Sequence, residues 1–178
     1  MINKVYLTGF MGSGKSTIGP ILANTLGWDF FDLDKVIELK EGKKVSKIFE
    51  ESGEEYFRDL EKKILEELSK QNYFIIALGG GTVTSQSNIN LMKKNGKIIY
   101  LKISPESAYK RLRFKRDRPV LTRDGTVNLE RNEFLKKISE LLDARKKFYE
   151  QADIIIDTNN LPMGILVDQI AKLINSNN

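Results

Sequence analysis

The sequence predicts a three-layer α/β sandwich, a parallel sheet between two helical layers, and three observations predict it. Short apolar runs of four to seven residues alternate with longer amphipathic stretches along the whole chain. Those runs show no alternation of polar and apolar residues, as expected of strands covered on both faces. The first run also passes through a glycine-rich turn straight into a helical pattern, which is the layout of a βα unit. With 178 residues the chain suits one compact domain spanning 1–178. A chain of that length buries roughly 70% of its unfolded surface, enough for a core without staples.

The elements follow in order. Residues 4–8 (Lys-Val-Tyr-Leu-Thr) form a β-rich run, and residues 15–26 an amphipathic helix closed by Gly27. Residues 28–31 are a second strand. Residues 33–40 and 45–51 read as short helices separated by Gly42. In residues 54–70, Phe57, Leu60, Ile64, Leu65 and Leu68 recur with helical period on one face. Residues 73–78 are an apolar strand that runs into Gly79, Gly80 and Gly81. A helix ending over 89–94 stops at Gly96, and residues 97–103 are another strand. Pro105 opens a helix continued by 106–114, because its fixed φ and missing N–H suit the first helical turn. Residues 115–127 are charged, contain Pro119 and Gly125, and lack any period. A long helix over 131–149, a strand over 153–156 and a helix over 163–174 complete the chain.

Composition excludes several chemistries. There is no cysteine and no histidine. Disulfides, thiolate metal sites, Ser-His-Asp triads and histidine shuttles are therefore out, and a general base must be a carboxylate or a lysine. The absence of cysteine fits a reducing compartment. No apolar run reaches the ~18 residues that span a bilayer, and the first residues lack a signal-peptide layout, so a cytoplasmic protein without a membrane partner is expected. The net charge of +5 suits an anion-binding cleft as well as it suits a solvated lysine-rich surface.

The sharpest local signal is Gly9-Phe10-Met11-Gly12-Ser13-Gly14-Lys15-Ser16, which satisfies G-x-x-x-x-G-K-[ST]. Its glycines let successive N–H groups converge on phosphates, Lys15 adds charge at the β- and γ-phosphates, and the Ser16 hydroxyl can ligate Mg²⁺. The helix beginning at Lys15 turns its positive end toward the same anion. Thr17 follows on that first turn. The motif follows a strand and opens a helix, the context it requires for binding ATP. No Asn-Lys-x-Asp segment follows a later strand, which argues against a GTPase. After the second strand comes Asp32-Leu33-Asp34. Two carboxylates at that strand end can face the crevice where open α/β sheets bind ligands, one toward Mg²⁺ and one toward an acceptor hydroxyl. The same pair also reads as a helix N-cap with a first-turn acid.

With these segments in hand the chain closely resembles the shikimate kinase family. The resemblance rests on residues 9–17, on Asp-Leu-Asp (32–34) and on Ile-Phe-Glu-Glu-Ser-Gly-Glu-Glu-Tyr-Phe-Arg-Asp-Leu-Glu (48–61). It continues through Ala-Leu-Gly-Gly-Gly-Thr (77–82), Arg-Pro-Val-Leu (118–121) and Arg-Lys-Lys-Phe-Tyr-Glu-Gln-Ala-Asp (145–153). It implies a P-loop NTPase fold of the nucleoside-monophosphate-kinase type, with five parallel strands in the order 2-3-1-4-5. The activity implied is Mg²⁺-dependent transfer from ATP to the 3-hydroxyl of shikimate, a step toward chorismate and the aromatic amino acids. It also implies a monomer with no nucleic-acid partner, acceptor-binding helices over about 33–61 and a lid over about 112–127.

Residue by residue, the resemblance gives Gly12, Ser13, Gly14, Lys15, Ser16 and Thr17 to ATP, with Ser16 and Asp32 on the magnesium side. Asp34 contacts the acceptor hydroxyls. Because an aspartate of ordinary pKa near ~3.9 is a weak base toward an alcohol, its expected role is mainly to orient. Arg58 and Arg145 grip the acceptor carboxylate, with Glu54 and Glu61 a turn either side of Arg58 to aim it. Gly80 and Gly81 touch the acceptor, Arg111 stacks on adenine, and Arg118 swings onto the transferring phosphate. With Lys15, Asp34 and Arg118 form the catalytic set. Two departures stand out: Leu112 where the family often has threonine, and a loop at 157–162 lacking the basic residue often found there. The competing readings are a gluconate-type or nucleotide kinase of the same fold, a nucleotide-sensing regulator, and a nucleic-acid module resting on the basic stretch 110–118.

Overall fold

The computed structural model describes residues 2–113, 130–159 and 161–176. Five strands, β1 (Lys4–Thr8), β2 (Asp29–Asp32), β3 (Phe74–Ala77), β4 (Lys97–Lys102) and β5 (Ile154–Asp157), form one sheet. Its order is β2-β3-β1-β4-β5, and every pairing is parallel. Helices α1 (Lys15–Leu26), α2 (Leu33–Glu41), α3 (Val45–Leu68), α4 (Gln86–Asn95), α5 (Pro105–Leu112), α6 (Arg131–Tyr149) and α7 (Met163–Ser176) connect and cover it. Fold class and strand order are as the sequence and the resemblance implied.

The double-sided apolar strands now have their reason. Along β1, Val5 and Leu7 join a core with α1 and α7 that includes Ile18, Leu22, Leu166 and Ile170. Tyr6, between them, points to the opposite core, built with Leu33, Ile37, Ile64 and Leu65 from α2 and α3. Successive residues of a strand point to opposite faces, so a strand buried on both must be apolar throughout. A third cluster of Phe10, Ile103, Ala108, Leu112 and Ile138 lies under the glycine-rich loop and ties α5 and α6 to it.

Local chemistry sets the helix ends. Gly27 closes α1 in the left-handed region at φ 69°, where its N–H and the next reach back to the Asn24 and Ala23 carbonyls. Ser104 caps α5 by accepting from the Ser107 N–H at 3.2 Å. The separate helices expected over 45–51 and 54–70 are both present: α3 is two helical segments that meet at a kink at Gly53, where φ is 82° and ψ 173°. That conformation is essentially restricted to glycine. No helix among the described residues is long and apolar enough to cross a membrane.

Parallel strands direct all their carboxyl ends to one edge, and the sequence motifs follow those ends. The glycine-rich loop follows β1, Asp32 and Asp34 follow β2, and the three glycines follow β3. They line one cleft of about 620 Å³.

Candidate active site

The loop from Gly9 to Ser16 turns through three glycines in the left-handed half of φ space, Gly9 at 147°, Gly12 at 81° and Gly14 at 107°. Lys15 bends back over it, donating from Nζ to the Gly9 carbonyl at 2.6 Å and to the Phe10 carbonyl at 3.3 Å. The Ser13 side chain is fully buried, and its N–H closes a turn on the Phe10 carbonyl at 3.1 Å. Ser13 therefore shapes the loop from beneath. Ser16 and Thr17 sit on the first turn of α1.

Asp32 makes the expected N-cap contact and also faces Ser16. Its Oδ1 caps α2 by accepting from the Lys35 N–H at 3.3 Å, and its Oδ2 accepts from the Ser16 hydroxyl at 3.1 Å. A hydroxyl and one carboxylate beside a phosphate-binding loop are hard oxygen donors. They suit Mg²⁺, which keeps most of its shell for phosphate oxygens and water. Among the described residues there is no cluster of three or more His, Cys, Asp or Glu side chains placed to hold a metal.

Asp34 is not the ordinary carboxylate the sequence suggested. Its pKa is pushed up to about 6, first by burial and then by the negative charges of Asp32, Glu61 and Glu38, with Lys15 pulling the other way. The cause is assembly: the end of β2 and the start of α2 bring two acids together, and α3 adds Glu61. A carboxylate with a pKa near working pH is a far better proton acceptor than one near ~3.9.

The run Gly79-Gly80-Gly81 decides the rest of the geometry. None of the three has positive φ, so backbone conformation does not require glycine here; space does. A β-carbon on Gly79 would stand 2.8 Å from Asp34 Oδ1, and one on Gly80 2.9 Å from Arg145 Nη1. One on Gly81 would collide with the Arg58 guanidinium. Three charged side chains, from α2, α6 and α3, thus lie each against one of three consecutive glycines.

Arg58 is held by two carboxylates and two aromatic rings, with about a third of its side chain (34%) left exposed. It donates to Glu54 Oε1 from Nε at 3.3 Å and from Nη2 at 3.2 Å, and to Glu61 Oε2 from Nη1 at 3.0 Å. Its guanidinium lies over Phe57 at 5.2 Å and Phe49 at 5.9 Å, within range for cation–π attraction. Glu61 is only 1% exposed, and its second oxygen accepts from the Thr82 hydroxyl at 2.7 Å. Both carboxylate oxygens are satisfied, as a buried charge requires.

On the nucleotide side, Arg111 spans two loops, donating from Nη1 to the Gly12 carbonyl at 2.9 Å and from Nη2 to the Thr158 carbonyl at 2.7 Å. Leu112 points inward, 2% exposed, in the cluster under the loop. The departure from threonine there is a packing residue. Arg118, and the expected lid from 114 onward, lie outside the described residues.

A model of the family described as shikimate kinase matches residues 11–175 of this chain. The chain belongs to the shikimate kinase family. It is 43% identical over 170 residues to a shikimate kinase of Chlorobaculum parvum, covering 96% of this chain and 91% of that one. The corresponding enzyme of Chlorobaculum tepidum is 44% identical over 170 residues, with 96% and 89% covered. Among solved structures, the shikimate kinase of Acinetobacter baumannii in complex with shikimate superposes with a TM-score of 0.87 at 35% identity, covering 99% of this chain and 95% of that one. That of Bacteroides thetaiotaomicron gives 0.89 at 33% identity, with 98% and 99% covered. A deoxyadenosine kinase from M. mycoides, at 17% identity and a TM-score of 0.59, shares the fold alone.

Of the residues expected at the site, Gly12, Gly14, Lys15, Ser16, Thr17, Asp32, Asp34, Arg58, Gly80, Gly81, Arg111 and Arg145 all line the same cleft. Sequence reasoning placed Phe57 only on the apolar face of its helix and gave no role to Phe49 or Thr82. The two aromatics flank Arg58 across the Gly53 break, and their hydrophobic spacing signalled only core. Thr82 carries no local signal; it matters because the fold puts it on Glu61.

Proposed function

We propose that this chain transfers the γ-phosphoryl group of ATP to the 3-hydroxyl of shikimate, giving shikimate 3-phosphate and ADP on the route to chorismate and the aromatic amino acids. The observation that carries this reading is the seating of Asp34, Arg145 and Arg58 against Gly79, Gly80 and Gly81. A ligand over that turn meets two guanidinium groups for a carboxylate and one carboxylate for a hydroxyl. Shikimate carries both groups on one ring, the carboxylate on C1 and the hydroxyl on C3.

Gly12, Ser13, Gly14, Lys15, Ser16 and Thr17 are the ATP-binding loop in this reading, with Arg111 at the base and Arg118 closing on the phosphates from a lid at 112–127. Ser16 and Asp32 would hold Mg²⁺, which would supply charge that neutralises the phosphates. Transfer passes through a loose transition state, so the chain's work is alignment and charge. Arg58 and Arg145 fix the acceptor by its carboxylate and so aim the 3-oxygen at the γ-phosphorus. A bond forms between that oxygen and phosphorus as the bond to the β,γ-bridging oxygen of ATP breaks. Asp34 accepts the hydroxyl proton, a role suited to its raised pKa. A monomer in the cytoplasm belongs to the same proposal.

The test is ADP production by purified protein with Mg²⁺·ATP, without acceptor and with shikimate, gluconate or nucleoside monophosphates. Stimulation by shikimate alone is expected. Stimulation by another acceptor would keep the phosphate loop and overturn the arginine reading. Replacing Asp34→Asn lowers kcat by about 10²–10⁴-fold with ATP binding little changed; parallel losses in both would remove Asp34 from the chemistry.

A further inference from the structure

We propose that Tyr149 is a positioning residue that sets Arg145 against Gly80 and so tunes the grip on the acceptor's carboxylate. Arg145 and Tyr149 are four residues apart on α6, one turn, and therefore share a face. Tyr149 is fully buried, although α6 is largely exposed around it. Its ring stacks almost parallel on Tyr100 of β4, centroids 4.8 Å apart at 10°. Its hydroxyl donates to the Gly80 carbonyl at 3.4 Å. That glycine is the one against which the Arg145 guanidinium lies, with Nη1 2.9 Å from the position of an added β-carbon.

A phenylalanine would fill the same volume and keep the stack, so packing alone does not require the hydroxyl. Burial pushes its pKa up, and Arg145 beside it pulls it partly back, so hydroxyl and guanidinium sense each other. A buried hydroxyl needs a partner; the partner here is the backbone of the turn that receives the clamp. Tyr149 thereby joins three things in one register: the last turns of α6, the glycine turn and the β4 ring below. The phosphate loop and the Asp34 side are not part of this contact.

The inference rests on shikimate as acceptor, and steady-state kinetics of Tyr149→Phe test it. The expected result is a rise of about fivefold in the KM for shikimate, about 1 kcal/mol, with kcat and the KM for ATP within about twofold. Combined with Arg145→Met, removal of the hydroxyl adds nothing further, because its effect runs through that arginine. An unchanged KM for shikimate, or a rise that persists undiminished in the Arg145→Met background, overturns the proposal. So does a parallel rise in both KM values with a melting temperature lowered by more than about 5 °C, which would make the hydroxyl merely structural. If wild-type protein fails to respond to shikimate, the acceptor reading falls, and this inference with it. If wild type responds and the variant matches it, this inference alone falls.

Discussion

The two halves of the cleft are built by opposite methods. The glycine-loop half is local: eight consecutive residues turn the backbone through three positive-φ glycines, with Lys15 folded back over the loop. The acceptor half is assembled: Asp34, Arg58 and Arg145 come from three helices spread over more than a hundred residues and meet at a glycine run. In the first half glycine supplies conformation; in the second it supplies only room, since Gly79, Gly80 and Gly81 have no positive φ. A site made of backbone tolerates most changes elsewhere in the fold. A site made of converging side chains depends on every element that carries one.

Gly81→Ala tests that contrast with the largest effect. The Arg58 guanidinium cannot retreat from a new β-carbon, because Glu54, Glu61 and two phenylalanines hold it. Loss of one charge-assisted contact costs about 2–3 kcal/mol, so the KM for shikimate should rise about 30- to 150-fold while the KM for ATP stays within about twofold. Gly80→Ala should do less, because only the tip of Arg145, Nη1, stands in the way at 2.9 Å, with Cζ 4.0 Å off. Equal effects from the two substitutions, or a matching loss of ATP affinity, would collapse the distinction between the halves.

Gly53→Ala sharpens it from another side. A β-carbon at Gly53 meets nothing within 4 Å, yet φ is 82° and ψ 173°. Any loss is therefore backbone strain, about 1–3 kcal/mol, and thermal unfolding should register it as a drop of about 2–10 °C. The break lies between Phe49 and the Glu54, Phe57, Arg58 and Glu61 set, so the acceptor KM should rise and the ATP KM should not. A variant with unchanged melting temperature would mean the helix straightens at no cost.

These differences also explain what was legible in the sequence. Strand and helix alternation, the sheet's double-sided burial and the phosphate loop were readable, since each is a contiguous pattern with a local physical cause. Gly53 was readable only as a gap between two helical periods. That gap is real: Gly53 leaves helical φ and ψ, and the two helical segments meet there at a kink. The partners of Arg58 at i−4 and i+3 followed from helix geometry, whereas Thr82 on Glu61 and Tyr149 on Gly80 are contacts between separate elements, and no spacing announces them. Without the family resemblance, Arg58 and Arg145 would have been two surface cations on two helices.

The state of Asp34 was hidden for the same reason, and it makes the smallest but most diagnostic prediction. Its folded pKa of about 6 lies above the ordinary value of 3.8, so between those values the folded chain holds a proton the unfolded chain has lost. Stability therefore falls as pH rises through that window, and above about 6 the full cost of an ionised Asp34 is present. A rise of that size sets a ceiling of about 3 kcal/mol. The cleft is open to water, which screens the charge, so about 1 kcal/mol is the expected size, or about 2–4 °C in melting temperature. Asp34→Asn removes the charge, and the unliganded variant should melt above wild type at about pH 8, with the advantage shrinking as pH falls toward about 4. The substitution that slows turnover most should thus stabilise the fold at neutral pH. If instead the variant melts lower under the alkaline condition, the Asp34 carboxylate is a net stabiliser of the cleft, and its burial among acids is not the source of its reactivity.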